Sequence, residues 1–337
     1  MKFELKRHEK NPIIIAGGHE WRQCAVFNPG VILEDNTFYL YERAAKGLRP
    51  FECSIGLLKS SDGVNFELVG EKPVLAANDL GHPAGTVEDP RIVKIEDEYL
   101  MTYAYRPYTY NCNPTGTGLP EYEPLVGELD VGINHTVSGI ARGRSLTEFE
   151  QICSLGGIEG HDERDTILFP EKINGRYAIL RRPKGNDEEQ SHKNQKPSIW
   201  ISYSDDLITW DKPHLVAQPK YGWEGSKIGG GTTPLKCDEG WIIIYHGVNE
   251  KNEYRAGIML LDINDPTKVI ARSREPVLEP KEYYEKVGLV VPNVVFPTGN
   301  VIKDNVLYVY YGCCDTSIAL ATANMEDVME YLRNSKE

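Results

Sequence analysis

The sequence predicts an all-β chain, a five-bladed β-propeller with a short C-terminal helix, and three observations carry that prediction. Short apolar or alternating runs rich in Tyr, Ile and Val recur from end to end, which is strand composition. Helical spacing of apolar residues is confined to the tail, M-E-D-V-M-E-Y-L-R-N. The third observation is a weak internal repeat. S-S-D-G-V-N-F-E (60–67), G-R-S-L-T-E-F-E (143–150) and S-D-D-L-I-T-W-D (204–211) each place a turn before an aromatic residue and an acid. Repetition of a strand, a turn and an aromatic plug is expected where four-stranded blades repeat around an axis.

The strand candidates, in order, are A-V-F-N-P-G-V-I-L, T-F-Y-L-Y-E, R-I-V-K-I, Y-L-M-T-Y-A-Y, Y-A-I-L-R, S-I-W-I-S-Y, W-I-I-I-Y-H, A-G-I-M-L-L-D and V-L-Y-V-Y-Y-G. Turn signals such as E-D-N, S-D-G, I-N-G-R and C-D-E-G separate them. The plugs Phe66, Phe149 and Trp210 are 83 and 61 residues apart. Blades of about 50–60 residues with insertions then fill the 337 residues as one domain, 1–337, of five blades. A pair of two-sheet sandwiches is the competing architecture. Segments 107–135 and 184–197 are long, polar and rich in Gly, Pro or charge, and read as loops on the strand framework.

Composition narrows the function classes. The hydrophobic fraction is 40% and the charged fraction 26%, as in ordinary soluble domains. No apolar run approaches the roughly 20 residues that span a bilayer. The N-terminus, M-K-F-E-L-K-R-H-E-K, is charged and lacks an apolar signal core, so a cytoplasmic location is expected. A net charge of −13 argues against nucleic acid and anionic membrane as partners. A small anionic substrate needs only a local positive pocket. The seven cysteines contain no C-x-x-C pair and read as buried thiols.

Polar residues worth weighing stand at strand ends: Asn28 in F-N-P-G, Arg43 in L-Y-E-R, Asp89 and Arg91 in E-D-P-R, and Arg164 in D-E-R-D. Further along come Arg182 in L-R-R-P, Lys227 in S-K-I-G-G-G-T-T-P, His246 in I-I-Y-H-G-V and Asp315 in Y-Y-G-C-C-D-T. Strand ends near a propeller axis converge, and several cations beside one or two carboxylates describe an anion site next to a proton donor. Each residue also has a plainer reading. Asp89 could cap a turn, Arg182 could be an exposed strand end, His246 could be a core histidine and Lys227 a solvated loop residue. The run at Gly229–Gly231 is no phosphate loop, because it lacks the G-K-[ST] ending. Tyr105, Tyr108, Tyr110, Trp223 and Tyr245 are candidates for stacking on sugar rings, or are blade packing.

Taken in order, N-P-G-V, E-D-P-R, L-F-P-E-K-I-N-G-R-Y-A-I-L-R-R-P, K-I-G-G-G-T-T-P, G-W-I-I-I-Y-H-G-V and Y-Y-G-C-C-D-T resemble glycoside hydrolase family 130 from about residue 20 to 320. That family contains inverting β-mannoside phosphorylases and related β-mannosidases on five-bladed propellers. The resemblance implies that Asp89 is the general acid, its proton passing through a hydroxyl of the bound mannose. It implies phosphate contacts for Arg43, Arg164, Arg182 and His246, all basic, and a sugar site lined by Asn28, Arg91, Lys227 and Asp315, with Tyr105 and Trp223 as stacking candidates. Inorganic phosphate is then a co-substrate beside a β-mannoside oligosaccharide or disaccharide. No organic cofactor and no metal are called for, and a homo-oligomer is compatible with the family. Asp165 departs from the pattern, since some phosphorylases carry an asparagine there that touches phosphate. An ionised Asp165 repels phosphate unless it is turned away or paired with an arginine. The alternative, an inverting hydrolase, needs a carboxylate base for water, for which Glu88, Glu171 and Glu224 are spare. A catalytically silent glycan-binding propeller is the third reading.

Overall fold

The computed structural model describes residues 3–109, 136–155, 162–184 and 196–337. Most of the two predicted long loops, and Tyr110 with them, lies outside the described residues. Strand β1 (Lys6–Arg7) opens the chain. Blade 1 is β2 (Ala25–Glu34), β3 (Thr37–Ala45), β4 (Cys53–Ser60) and β5 (Glu67–Leu68). Blade 2 is β6 (Thr86–Ile95), β7 (Glu98–Arg106), β8 (Val137–Gly143) and β9 (Phe149–Leu155). Blade 3 is β10 (Asp162–Leu168), β11 (Tyr177–Lys184), β12 (Ile199–Ser204) and β13 (His214–Ala217). In blade 4, β14 (Lys227–Gly230) and β15 (Leu235–Cys237) both pair with β16 (Gly240–Val248), followed by β17 (Tyr254–Leu261) and β18 (Val269–Arg272). A single turn, α1 (Tyr283–Lys286), leads to blade 5: β19 (Val295–Lys303), β20 (Val306–Cys313) and β21 (Ser317–Asn324).

The predicted five-bladed propeller is what forms. The outer edge of blade 5 is covered by β1, which pairs antiparallel with β21, so the first strand closes the ring. This leaves one fewer bare sheet edge. The predicted tail helix is α2 (Met325–Arg333), capped by Asn324, which accepts from the Glu326 N–H. Met325, Val328 and Leu332 dock it on the core shared by blades 4 and 5.

Five apolar clusters lie between neighbouring blades. Leu40 and Tyr310 belong to the cluster between blades 1 and 5, and Tyr41 and Met101 to that between blades 1 and 2. Leu100 and Ile179, Ile199 and Ile243, and Ile244 and Val309 share the clusters at the remaining three junctions. The repeated aromatics serve these junctions. Phe66 of blade 1 sits edge-on to Tyr310 of blade 5, and Phe149 of blade 2 sits edge-on to Tyr41 of blade 1. Trp210 of blade 3 packs on the cluster it shares with blade 2. The turns before Phe66 and Trp210 are built alike. Asp62 Oδ1 accepts the Val64 and Asn65 N–H groups, and Asp206 Oδ1 accepts those of Ile208 and Thr209.

The first strand of each blade positions the site. In blades 1, 2, 3 and 5 its pairing with the second strand skips register, between Phe27 and Gly30, Glu88 and Arg91, Arg164 and Ile167, and Pro297 and Gly299. Three bulge residues are left-handed: Asn28 (φ 46°), Asp89 (φ 51°) and Asp165 (φ 51°). Asn and Asp tolerate that region far better than other side chains with a Cβ. A bulge re-aims the side chain it carries, so the same backbone device turns one amide and two carboxylates toward the ring of first strands.

Candidate active site

The second strands supply the cations. Just before the bulges of blades 1, 2 and 3, Phe27 pairs with Arg43, Glu88 with Ala104 and Arg164 with Arg182. In blade 5 Pro297 precedes the bulge and pairs with Tyr311, and Phe296 before it pairs with Gly312; in blade 4, whose β14–β16 pairing runs unshifted, Gly229 pairs with His246. Three second strands therefore carry a basic side chain here, and those of blades 2 and 5 carry a small residue. At Gly312 the room is required, because a Cβ there would lie 1.9 Å from Asn28 Oδ1.

Two clusters result. In the first, Asp89 Oδ1 accepts from Asn28 Nδ2 at 2.8 Å and from Arg43 Nη1 at 3.0 Å. The second Asp89 oxygen makes no hydrogen bond among the described residues. Arg43 Nη2 also reaches Glu88 Oε1 at 3.2 Å, and its guanidinium lies 4.4 Å from the centre of the Phe27 ring. Asp315, left-handed at φ 55°, accepts the Val291 N–H at 3.2 Å through Oδ2. Burial pushes its carboxyl up to about 6; Arg43 opposes this, and Asp89 and Glu88 add to it.

The second cluster gathers Asp165, Arg164, Arg182, Lys227 and His246 on blades 3 and 4. Arg182 Nε donates to Asp165 Oδ2, and His246 Nε2 stands 3.6 Å from the same oxygen. Gly229 makes this possible, since a Cβ there would lie 2.3 Å from Asp165 Oδ2. Burial alone would raise the Asp165 carboxyl, but the Arg182 guanidinium first, and Arg91 with it, hold it well below the usual carboxylate range. Burial pushes His246 down to about 3, against the pull of Asp165, so its imidazole is neutral near pH 7. Arg164 Nη2 donates to Thr136 Oγ1 at 2.7 Å. Lys227 Nζ lies 5.1 Å from the centre of the Tyr254 ring.

Arg91 joins the clusters. It is 2% exposed, donating from Nε to the Gly231 carbonyl of blade 4 at 2.7 Å and from Nη1 to the Asp89 carbonyl at 2.5 Å. Its buried Nη2 has no hydrogen bond among the described residues.

The structure thus brings Asp89 together with Asn28, Arg43 and Arg91, and Asp165 together with Arg182 and His246. A family profile described as beta-1,4-mannooligosaccharide phosphorylase, glycoside hydrolase family 130, matches residues 4–123 and 127–334. The chain belongs to glycoside hydrolase family 130. It is 37% identical over 335 residues to a 1,2-beta-oligomannan phosphorylase of Thermoanaerobacter sp. (strain X514), covering 97% of this chain and 99% of the relative. It is 39% identical over 350 residues to a beta-1,2-mannobiose phosphorylase of the same organism, again covering 97% and 99%. The solved beta-1,2-mannobiose phosphorylase of Listeria innocua superposes with a TM-score of 0.73 at 26% identity, covering 98% of this chain and 99% of that one. The protein is an enzyme of family 130.

Within this family 130 site the residues singled out in the sequence fall as follows. Arg43, expected with the phosphate group, lies against Asp89 and Glu88. His246, expected with the phosphate group, is buried against Phe296 and faces Asp165, and burial first, then the neighbouring positive charges, pushes its imidazole down. Tyr105 packs between blades 1 and 2, stacked on His82 with its hydroxyl 3.1 Å from Ser154 Oγ. Trp223 lies over Gly247 and beside Tyr245, on the face of β16 opposite His246, and donates from Nε1 to the Arg274 carbonyl. Glu224 is fully buried on that same far face, taken up by Tyr245, Arg272 and two backbone N–H groups. Glu171 pairs with Lys236 beyond the opposite end of β10 from Asp165. Glu88 is 1% exposed and ion-paired with Arg43. Asp165 is paired with an arginine, one of the two escapes its charge required.

Two aromatics at the site were not picked out from the sequence. Phe296 has its ring centre 4.6 Å from that of His246 and 6.0 Å from the Arg91 guanidinium. Tyr254 stacks on His246 at 6.1 Å, and burial pushes its hydroxyl up to about 12. Phe296 had a signal, because V-F-P-T-G repeats the V-F-N-P-G of blade 1. Tyr254 stands in no recognisable motif.

The charges predict a pH effect. Asp315 binds its proton more tightly folded, at about 6, than unfolded, at about 3.9, so its contribution to stability falls as pH rises between those values. Asp315→Asn is expected to gain about 1–2 kcal/mol of stability at pH 7 and nothing by pH 4. His246 has the opposite sign: its native form stays neutral to about 3, so its contribution is lost as pH falls below about 6.5. Removing Asp315 therefore steepens the decline on the acid side. Thermal midpoints of both proteins from pH 4 to 7 check this, and an unchanged midpoint at pH 7 would refute the raised carboxyl.

Proposed function

We propose that this enzyme is an inverting β-mannoside phosphorylase that uses inorganic phosphate to cleave a β-mannosyl-sugar into α-mannose 1-phosphate and the shortened sugar. The observation that carries the reading is the cluster of Arg182, His246 and Arg164 on the blades next to Asp89, whose second oxygen has no hydrogen bond among the described residues. Phosphate held by arginine forks attacks the anomeric carbon from the α face. The bond from that carbon to the bridging oxygen breaks, and the oxygen takes a proton supplied by Asp89, directly or through a mannose hydroxyl. Asn28 and Arg43 hold Asp89 by one oxygen and leave the other for that proton. Asn28, Lys227 and Asp315 are assigned to the mannose.

A hydrolase needs a second carboxylate to activate water. Glu88, Glu171 and Glu224 are each engaged elsewhere, which favours phosphate over water as nucleophile. The two Thermoanaerobacter relatives are named for β-1,2 linkages, and that linkage is the one assigned here. The test is turnover of β-1,2- and β-1,4-mannobiose with and without phosphate, the products identified by phosphorus NMR and sugar analysis. Phosphate-dependent α-mannose 1-phosphate from the β-1,2 disaccharide is expected. Free mannose released at the same rate without phosphate would make the protein a hydrolase.

A further inference from the structure

We infer that Asp165 makes the cluster around Arg182 and His246 an anion seat selective for a protonated oxyanion, so that the site takes phosphate and rejects sulfate. The inference rests on the phosphate role proposed above for Arg182 and His246. Asp165 is 8% exposed, and its left-handed bulge aims it into the seat. Oδ2 takes the Arg182 Nε–H and faces His246 Nε2. Oδ1 makes no hydrogen bond among the described residues, and neither do the two Nη groups of Arg182.

An oxyanion gripped by those Nη groups therefore lies beside a carboxylate oxygen. The positive groups around Asp165 are Arg182 on β11 and Arg91 on β6, with His246 on β16 beside it and Lys227 on β14 beside that histidine. They keep the carboxylate ionised, and an ionised carboxylate only accepts hydrogen bonds. Two acceptors repel unless one of them brings a proton. Phosphate near neutral pH carries at least one P–OH, whereas sulfate carries none. The P–OH donates to Asp165 Oδ1, which leaves the ionised oxygens for the arginines and for attack on the sugar. Asp165 is thus a positioning and specificity residue. It touches the nucleophile's proton and takes no part in bond breaking.

The experiment compares phosphate, arsenate and sulfate in the wild type and in Asp165→Asn. Asparagine tolerates the left-handed backbone and offers an N–H donor. Arsenate keeps a proton as phosphate does, so wild-type enzyme is expected to use it. Sulfate is expected to compete about 100-fold more weakly than phosphate, since like charges would face each other. In Asp165→Asn the sulfate inhibition constant, taken relative to the phosphate KM, is expected to fall by about tenfold or more. A gain of sulfate binding cannot come from misfolding. Wild-type sulfate inhibition as strong as phosphate binding would overturn the inference without needing a variant, and so would an unchanged ratio in Asp165→Asn. Calorimetry separates the two levels: if wild type binds neither phosphate nor arsenate, the phosphate role of the seat fails and the inference fails with it.

Discussion

Asp89→Asn is expected to lower turnover of a natural β-mannoside by about 10²–10⁴-fold, the range a positioned proton donor supplies. The thermal midpoint should move by only a few degrees. Asparagine keeps the shape, tolerates the left-handed φ of 51° and still offers an oxygen to Asn28 Nδ2 and Arg43 Nη1. Arg43 keeps its second partner, Glu88, so no buried charge is stranded. What the variant loses is a proton to give. That loss should matter little when the leaving group departs unaided, so a dinitrophenyl β-mannoside should react with phosphate at a rate near wild type. An equal fall on both substrates would make Asp89 a binding residue. Near-full activity on the natural substrate would move the acid elsewhere.

The structure shows why some of this was legible in the chain and some was not. E-D-P-R and F-N-P-G could be read because a bulge demands a short polar residue that accepts φ > 0, and Asp89 and Asn28 supply it. The same demand is met at Asp165 with no proline to mark it, and the residue looked like a departure where it is a third copy of the device. The blade plugs Phe66, Phe149 and Trp210 repeat because every inter-blade junction must be filled. The charge state of His246 was not legible, since it depends on burial beside Arg182, Lys227 and Arg91, which arrive from three other strands. Nor was the placement of Trp223. It stands four residues before Lys227, yet it packs on the far face of β16, a matter of side-chain alternation that spacing from a motif does not reveal. Arg43 shows a third limit. Its position opposite the bulge was predictable as basic, but whether it meets phosphate or the acid depends on Glu88 and Asp89 from the next blade.

Arg182→Met should lose phosphate and stability together, and the two losses should come apart in a second variant. Arg182 is 5% exposed and is the first opponent of the burial that would otherwise raise the Asp165 carboxyl. Taking it away strands a buried carboxylate beside a neutral histidine, a change that costs about 3–5 kcal/mol. Phosphate meanwhile loses a buried charged donor, worth about 2–5 kcal/mol, or roughly 30-fold to several thousand-fold in its KM. Adding Asp165→Asn removes the stranded charge, so the double variant should recover most of the thermal midpoint. It should recover none of the affinity for phosphate, because the guanidinium is still missing. Midpoints by calorimetry and phosphate KM values for wild type, Arg182→Met and the pair decide it. If the double variant regained phosphate affinity along with stability, Arg182 would be a structural counter-ion to Asp165 and the nucleophile would have to be held by Arg164 and Lys227. If Arg182→Met lost affinity at full stability, the carboxylate would not be ionised in the seat, and the ground for rejecting sulfate would go with it.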